Sequence, residues 1–499
     1  MSSEAARSIA KNATVMMGSQ AITWLSTFIL MLFLPRYLGS EEYGRLYLAL
    51  SVTMIFFPFI DFGGTFLIPK EVARARDQAP ELLVNSIVMR ILFWVVVVVL
   101  MVAFSFVAHY SSEVKLLILV LGISLLWDGV GKVLAGCYQG FEMMQYSARG
   151  NMSERVSLTA MAVVAVLLGA PVLVIAMIMA LSRLINFLVL TKFVRRLIPH
   201  VPRFDRQKVF ELVKIGAPFF LWSIFGMIYY RIDAVMLSLM TPASVVGWYG
   251  AAYRLFDALM FLPSIFSTAL FPVLSRLWGK ESLTLRRTTQ KGLEFILLAG
   301  IPISMLVFAL ADQLVKFFFG VKEYGPTIPT LQMLSVGLLL VYIDTILGAA
   351  LFASDKQRQW TLTALAAVFV NPVLNFFMIP YAQSHLGNGG IGAGLATLVT
   401  EFFLLIAAVH LVPKTIWEGA SVANQFKILG AGILMAASLW ILHENGVAAV
   451  LQAVITLAVY CFGLLSMKAV SMEELTFFTG FLSLRSLKTI FSVSGGSAA

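Results

Sequence analysis

Fourteen apolar segments divide this chain of 499 residues, and each is long enough to cross a bilayer. A helix needs about 20 consecutive apolar residues to span the hydrocarbon core. Soluble domains carry about 25% charged residues, whereas this chain has 12% charged and 60% hydrophobic residues. The sequence therefore predicts an all-α polytopic membrane protein with 14 transmembrane helices. The predicted spans are residues 13–34, 45–68, 88–108, 116–136, 148–168, 171–191, 215–240, 247–272, 292–311, 329–353, 360–380, 391–411, 427–443 and 447–466.

Charged side chains interrupt these apolar segments. An intramembrane charge costs roughly 2.5–3.5 kcal/mol even on the more lenient insertion scale. Such residues are tolerated where they face a water-filled cavity or one another, so the pattern favours a transporter. The intramembrane cations are Lys132, Arg155, Arg183, Arg231 and Arg254.

The net charge of +10 has a distribution that argues against binding to nucleic acid. If the N-terminus is cytoplasmic, 26 of the 36 lysines and arginines fall in inside loops and tails, five fall outside, and five lie within the membrane. This bias follows the positive-inside rule and predicts that both termini are cytoplasmic. The basic charge thus orients the chain and contacts anionic membrane lipids.

The loops are too short for a separate soluble domain, and the longest is the basic connector Lys192–Lys214. A weak internal repeat relates Leu38–Gly44, after the first span, to Thr241–Gly250, after the seventh. Two halves in the same orientation imply a pseudo-two-fold axis along the membrane normal, although small residues also simply suit tight turns. The predicted domains are an N-lobe with the linker, a C-lobe, a final helix pair and a cytoplasmic tail, at residues 1–205, 206–415, 416–466 and 467–499.

The tail after the last span has apolar residues at near-helical spacing, from Phe477 to Leu487, with Arg485 and Lys488 among them. This pattern favours an interfacial helix on the inner leaflet. An unstructured tail is the alternative.

Several motifs, in order and spacing, resemble the polysaccharide-transporter branch of the MOP flippase superfamily, the bacterial O-antigen and exopolysaccharide repeat-unit flippases. The resemblance covers essentially the whole chain. The stretches that carry it are Leu38–Gly44, Asp61-Phe62-Gly63 before Pro69-Lys70-Glu71, Tyr230–Leu237, Val246–Leu255 and Leu386–Glu401.

The resemblance implies a V-shaped pair of six-helix lobes, with two further C-terminal helices, that alternates between inward- and outward-open states. It also implies a substrate, an oligosaccharide linked to undecaprenyl diphosphate, and the bacterial inner membrane as the location. A polysaccharide polymerase and a chain-length regulator are the implied partners. No enzymatic activity, nucleic-acid partner or resident cofactor is expected.

We expect Lys132, Arg155, Arg183, Arg231 and Arg254 to line a cationic lumen that replaces water around the substrate phosphates. Lys132 and Asp128 are spaced i and i+4, so they can neutralise each other. Glu154 precedes Arg155 directly and points about 100° away from it. Arg155 is therefore expected to meet an anion or another helix. Arg183 lies near mid-membrane, from where reaching the surface is difficult.

The charges of the second half divide in the same way. Arg231 and Asp233 are two residues apart and point about 200° apart, so at most one faces a cavity and the other contacts a neighbouring helix. Arg254 and Asp257 share one helical face, where a neutralising pair is the alternative to substrate contact. Arginine offers a planar fork that matches diphosphate oxygens, which favours Arg254 as a substrate ligand.

Acidic residues inside the spans are candidates for ion coupling. A buried acid without a partner can take up and release a proton near neutrality. Transport against a gradient would use H⁺ or Na⁺, and the sequence predicts no bound metal or cofactor beyond that coupling ion. The candidates are Asp61, Asp233, Asp257, Asp344 and Glu401.

A glycine-rich motif at residues 387–392 matches the dinucleotide-binding pattern G-x-G-x-x-G. That pattern requires a preceding strand in a βαβ unit, whereas this stretch separates two apolar segments. The motif therefore predicts a close-packed start of a helix.

Three other functions are alternatives to lipid-linked oligosaccharide transport. A cation-coupled multidrug or small-molecule antiporter of the same superfamily has an acid-dominated cavity, which the intramembrane arginines oppose. A polymerase or glycosyltransferase needs a sizeable outside loop with catalytic groups, and the longest one here, about residues 312–328, offers few. A lipid II flippase is a close alternative that these motifs do not separate.

Overall fold

The computed structural model describes residues 3–194, 204–279, 282–418 and 420–470. Within these ranges the chain is helical, with two 3-10 turns and no strand. The predicted all-α polytopic class is confirmed. The helices are α1 (Ser3–Asp61), α2 (Gly64–Arg74), α3 (Ala79–Val107), α4 (Ser112–Gly140), α5 (Met144–Leu167), α6 (Val172–Val194), α7 (Arg206–Met240), α8 (Ala243–Leu259), α9 (Phe261–Leu277), α10 (Ser282–Ala309), α11 (Ala311–Phe318), α12 (Val321–Tyr324), α13 (Thr327–Ala353), α14 (Gln357–Leu386), α15 (Gly389–Leu411), α16 (Ala420–Glu444) and α17 (Ala449–Ser466).

Twelve helical segments of the described residues are long and apolar enough to cross a membrane. The first of them contains both of the first two predicted spans, because the two helices that meet at the kink of Gly39 follow each other without a loop. Helix α5, which carries the fifth predicted span, is not among the twelve, and Arg149, Glu154 and Arg155 lower its apolar content. The number fourteen therefore stays a prediction.

Helix α1 bends at a glycine. Gly39 has φ 70° and ψ 172°, a backbone conformation that glycine adopts without the penalty of a Cβ. A Cβ at this position would also collide with the Glu323 carboxyl group. The first sequence motif of the resemblance thus contains the kink at Gly39, where two apolar helices of α1 meet without a loop between them.

The second motif of the resemblance is a helix break. Helix α1 ends at Asp61, and the next two residues, Phe62 and Gly63, have φ values of 43° and 74° before α2 begins. The second half has a comparable interruption, since the eighth predicted span divides at Met260 between α8 and α9. Both breaks lie inside stretches that hydropathy alone predicted as single spans.

Helices α1 and α8 cross with their backbones in contact. A Cβ at Gly44 would overlap the carbonyl oxygen of Ala243, and a Cβ at Gly247 would overlap the carbonyl oxygen of Ser40. One turn further along α8, a Cβ at Gly250 would meet the ring of Tyr47. Small residues permit such close approach between membrane helices. The two repeated motifs of the sequence therefore pack against each other.

The chain forms two compact units. The first unit comprises Met1–Leu255, Leu314–Thr330 and Ala364–Thr400, and the second comprises Phe256–Gln313, Leu331–Thr363 and Glu401–Ala499. The predicted division into lobes at residues 1–205 and 206–415 stays a prediction.

Each unit has its own apolar core. In the first unit, α2, α3, α4 and α6 meet around Val72, Leu83, Val133 and Tyr138. In the second unit, α10 packs against the α16–α17 pair through Ile301, Met435 and Leu464. The thirteenth predicted span, the shortest by hydropathy, is thus a full helix of 25 residues.

The segment Leu314–Thr330 is held on the first unit by polar contacts. Arg36 donates to the carbonyls of Lys316, Phe317 and Phe318 at the end of α11, where helix carbonyls lack partners in the helix itself. Tyr324 donates to the carbonyl of Pro35 at 3.0 Å. Burial raises the pKa of Tyr324, so its hydroxyl remains protonated and keeps donating.

The same segment also contacts α8 and the start of α15. Trp248 Nε1 donates to the carbonyl of Glu323 at 2.8 Å. Asn388 Nδ2 donates to the carbonyl of Pro326 at 2.7 Å. The connection between α10 and α13 is therefore an ordered part of the first unit.

The predicted interfacial helix from Phe477 to Leu487 lies outside the described residues, as does the middle of the basic connector.

Candidate functional site

Three of the predicted lumen cations lie together on α4, α5 and α6 in the first unit. Lys132 forms an ion pair with Asp128 at 3.5 Å, as the i, i+4 spacing predicts, and its ammonium lies 3.7 Å from the centre of the Phe57 ring. Asp128 also interacts electrostatically with Arg183, and Glu154 does so with Arg155 and Arg183. We call Lys132, Arg155, Arg183, Asp128 and Glu154 the cationic cluster.

Two guanidinium groups of this cluster have no carboxylate within ion-pair distance among the described residues. Arg183 donates to the hydroxyl of Ser124 at 2.7 Å, and the side chain of Arg155 has no hydrogen-bond partner in the described part of the chain. Glu154 accepts instead from Asn186 Nδ2 at 2.6 Å. The prediction that Glu154 does not neutralise Arg155 through an ion pair is therefore consistent with the geometry.

With three cations and two carboxylates, the cluster carries an excess of positive charge when all five groups are ionised. An unpaired intramembrane arginine is costly, and a bound anion would offset that cost through charge-assisted hydrogen bonds. The cluster is thus suited to hold an anionic group.

The remaining two cations are on α7 and α8. Arg231 donates from Nη1 to the hydroxyl of Tyr47 at 3.1 Å and lies over the ring of Tyr253, 5.4 Å from its centre. Arg254 is half-buried, and it forms no hydrogen bond or ion pair with the residues that the structure describes. The five predicted cations thus form one cluster of three and a separate pair.

Asp233 is buried, with 2% of its surface exposed, and hydroxyl and amide groups surround it. It accepts from Tyr249 at 2.7 Å, from Asn375 Nδ2 at 2.6 Å and from Thr397 at 3.1 Å. Asn375 Nδ2 also donates to Asn371 Oδ1 at 2.8 Å, and Asn375 Oδ1 is buried without a partner among the described residues. Arg231 and Asp233 face different neighbours, as their angular separation predicts.

Asp61, a predicted coupling residue, has a partner on another helix. It forms a buried ion pair with Arg90 of α3, whose side chain is 0% exposed, and it accepts from the Thr65 hydroxyl at 2.9 Å. Arg90 also donates to the carbonyl of Gly129. This favours a structural role for Asp61, while its part in coupling stays a prediction.

Sequence reasoning missed Arg90. Its position just inside the third predicted span placed it with the cations of the preceding inside loop. An arginine flanked by Met89 and Ile91, with an acid in the neighbouring span, was the signal that could have identified the pair.

Two further predicted acids, Asp344 on α13 and Glu401 on α15, lie together in the second unit. They are 6% and 5% exposed, and the carboxyl of Asp344 interacts with that of Glu401. No donor of the described residues reaches either carboxyl oxygen of Asp344. Asp257, the last predicted acid, is half-buried near the end of α8.

The glycine-rich motif is the start of α15. Asn388 Oδ1 accepts from the backbone N–H of Gly390 at 3.0 Å, in the manner of an N-cap. A Cβ at Gly392 would overlap the carbonyl of Met378 on α14. The motif is a close-packed helix start, as predicted.

Comparison with protein families gives two matches. The family described as polysaccharide biosynthesis protein matches residues 9–278, more than half of the chain. The MatE family matches residues 218–377.

Two curated proteins are similar over part of their length. The probable flippase AglR of Haloferax volcanii is 28% identical over 222 residues, which cover 42% of this chain and 45% of that protein. The probable multidrug resistance protein NorM of Bacillus subtilis is 23% identical over 218 residues, covering 42% and 46%. The chain thus spans about half the length of the curated relatives it matches.

Two solved structures share the fold. The lipid II flippase MurJ in an inward closed conformation aligns with a TM-score of 0.72 and 15% identity, over 91% of this chain and 98% of MurJ. An inward-facing multidrug resistance MATE family transporter of the MOP superfamily aligns with a TM-score of 0.62 and 17% identity, over 79% and 94%. The chain therefore shares its fold with these two structures.

Proposed function

The chain belongs to the polysaccharide biosynthesis protein family, and from this premise we propose that it is a flippase for lipid-linked oligosaccharides. The proposed substrate is an oligosaccharide repeat unit on undecaprenyl diphosphate, moved across the bacterial inner membrane by alternating access. Similarity to the probable flippase AglR supports this proposal.

The cationic cluster is the observation that carries the proposal. A hydrated glycan and two phosphates must pass about 30 Å of hydrocarbon, and the phosphates need replacements for their water. Arg155 and Arg183 have no carboxylate within ion-pair distance among the described residues, and a guanidinium can donate two parallel hydrogen bonds to phosphate oxygens. Lys132 and Arg254 would extend the same cationic path, while the polyprenyl tail stays in the lipid.

Transport of the substrate against its gradient requires a coupling ion. Among the predicted coupling residues, Asp233 has the most oxygen atoms of neighbouring side chains around it that could bind such an ion. Its carboxylate lies beside the hydroxyls of Tyr249 and Thr397 and near the amide oxygens of Asn371 and Asn375. The orphaned oxygen of Asn375 would gain a partner from a small hard cation such as Na⁺, which binds oxygen ligands. H⁺ is the alternative ion.

The proposal is tested by transport of a lipid-linked oligosaccharide in proteoliposomes. Losing a hydrogen bond to a charged group costs about 1.5–3 kcal/mol, so we expect Arg155→Gln and Arg183→Gln each to slow transport by about tenfold or more. Arg149→Gln is the matched control. Arg149 lies on α5, the helix that carries Arg155, but it is exposed and stacks on Tyr146 and Phe193. Equal rates in all three variants would refute the role of the cluster.

A multidrug antiporter is the second candidate, and the MatE match over residues 218–377 favours it. Cationic drugs would be repelled by the excess positive charge of the cluster. A deletion strain is therefore expected to keep its drug susceptibility and to lose surface polysaccharide. The opposite result would favour the antiporter, and transport of lipid II in the proteoliposomes would identify a lipid II flippase.

A polysaccharide polymerase and a chain-length regulator are the proposed partners. They act on the product that such a flippase delivers, and cross-linking in intact membranes followed by mass spectrometry tests whether they contact this chain.

A further inference from the structure

Helix α7 exposes two different sides, and only one of them has the composition of a lipid-facing surface. Leu221 and Leu239 are exposed, and they lie on one apolar side because their separation in sequence is about five turns of helix. Trp222 and Tyr230 are also exposed, at 45% and 38%. They flank Gly226 at intervals of four residues, so these three residues share a second side of the helix. We call Trp222, Gly226 and Tyr230 the α7 platform.

The platform side of α7 is covered at both of its ends. One turn before Trp222, Phe219 packs on α2, where its ring stacks on that of Phe66 with centroids 6.0 Å apart. One turn after Tyr230, Ala234 is buried. The platform is therefore an opening of limited length, about 12 Å from Trp222 to Tyr230 at 1.5 Å per residue. Such an opening has the extent of a ligand site rather than that of a continuous lipid-facing surface.

Gly226 leaves space between the two rings of the platform. A Cβ at this position would meet no atom of the described chain within 4 Å. The ring of Tyr230 lies edge-on to that of Tyr229, with centroids 5.8 Å apart. The platform thus offers two aromatic rings, each with a polar group at its edge, on either side of an open space.

A sugar ring matches these features. Its C–H face can pack on the negative face of an aromatic ring, while its hydroxyl groups can form hydrogen bonds with an indole N–H and a phenol O–H. A cationic ligand is disfavoured because Arg231 directly follows the platform, where it donates to Tyr47 at 3.1 Å and lies over the ring of Tyr253. A lipid tail would need only an apolar surface, such as the side that carries Leu221 and Leu239.

From this geometry we propose that the α7 platform is a sugar-binding site, in which Trp222 and Tyr230 stack on the rings of an oligosaccharide. Sugar binding itself requires no transport, whereas a role in moving the glycan rests on the proposed function. In that role the platform binds the glycan and the cationic cluster binds the phosphates.

Saturation-transfer NMR on the purified full chain in lipid nanodiscs tests sugar binding, with cellobiose, maltose and chitobiose as probes. We expect transfer from the protein to the C–H protons of at least one of these disaccharides. Trp222→Leu should weaken the binding by about threefold or more because an aromatic contact is lost, and Trp222→Phe should retain most of it. Trp440→Leu is the matched control, since Trp440 is exposed on α16 in the second unit.

Gly226→Leu tests the open space without disturbing the packing of the protein. The leucine has room among the described residues, and it favours a helix more than glycine does. The variant should therefore fold and lose disaccharide binding. Gly18→Leu is its control, since a Cβ at Gly18 also meets no described atom within 4 Å.

No transfer to any of the three disaccharides, or transfer that Trp222→Leu and Gly226→Leu leave unchanged, would overturn the proposal. Binding of tetraphenylphosphonium in place of the sugars, with the same dependence on Trp222, would identify a cation site instead. In proteoliposomes, Gly226→Leu should slow transport of a lipid-linked oligosaccharide relative to Gly18→Leu, and equal rates would overturn the role in transport. A wild type that moves no lipid-linked oligosaccharide would refute the proposed function, while the NMR result stands.

Discussion

Asp61, Asp233 and Asp344 are all buried aspartates, and each meets a different kind of partner. Asp61 pairs with the guanidinium of Arg90, Asp233 accepts from neutral hydroxyl and amide groups, and Asp344 interacts electrostatically with a second carboxyl. Neutralisation by a fixed cation suits a structural link, whereas neutral ligands and a carboxyl pair leave room for a mobile ion. The group that each aspartate meets therefore indicates whether the aspartate is a candidate for a structural role or for ion binding.

Removing one member of the Asp61–Arg90 pair should destabilise the protein strongly. Breaking a buried ion pair leaves an uncompensated charge and costs about 3–5 kcal/mol, so Arg90→Met is expected to lower the thermal unfolding temperature in detergent. Arg76→Met removes the exposed pair with Glu142, and such pairs contribute about 0–1 kcal/mol. Similar unfolding temperatures for both variants would contradict the assigned role of Arg90.

Sodium should stabilise the protein through Asp233. A ligand that binds only the folded state at 100 times its Kd adds about 2.7 kcal/mol of stability. We expect saturating NaCl to raise the unfolding temperature of the wild type relative to choline chloride, and to leave Asp233→Asn unchanged. An equal shift in both proteins would mean that sodium acts elsewhere.

At the scale of helices, glycines determine where α1 bends and where it touches α8. Gly39 allows the bend, and Gly44 and Gly247 allow backbone contact. The same helix has a glycine with open surroundings, Gly18, where a Cβ would meet nothing within 4 Å. The chain therefore contains its own control for the effect of close packing.

Gly44→Ala should destabilise the protein, while Gly18→Ala should not. Overpacking a close contact costs about 1–3 kcal/mol, whereas alanine in an open helical position gains up to about 1 kcal/mol over glycine. Unfolding temperatures of the two purified variants measure the difference. If Gly44→Ala matched Gly18→Ala, the crossing of α1 and α8 would not be the close contact described.

For the whole molecule, the positive-inside bias predicts the orientation, and single cysteines can test it. Asp77 and Lys322 are exposed and are predicted on opposite sides. In a background with Cys461→Ser, Lys322→Cys should react with an impermeant maleimide on intact spheroplasts, and Asp77→Cys should react only after permeabilisation. Native Cys137 is buried. The reverse labelling pattern would invert the predicted orientation.

Hydropathy was sufficient to locate the helices because burial in lipid depends on composition over about 20 residues. It did not place the breaks at Phe62–Gly63 and Met260, where the chain stays apolar while its backbone direction changes. The i, i+4 pair of Lys132 and Asp128 followed from spacing along one helix. Partners on different helices, such as Arg90 for Asp61, depend on tertiary packing that local periodicity does not encode.

The contact between Gly44 and the Ala243 carbonyl has a mechanical consequence for the first unit. Where two backbones touch, no side chain with rotatable bonds lies between them to absorb sliding. The crossing therefore couples the movement of α8 to that of the part of α1 that follows Gly39. If the chain is a transporter as proposed, bending is expected at Gly39 and at Phe62–Gly63, where the backbone departs from helical geometry.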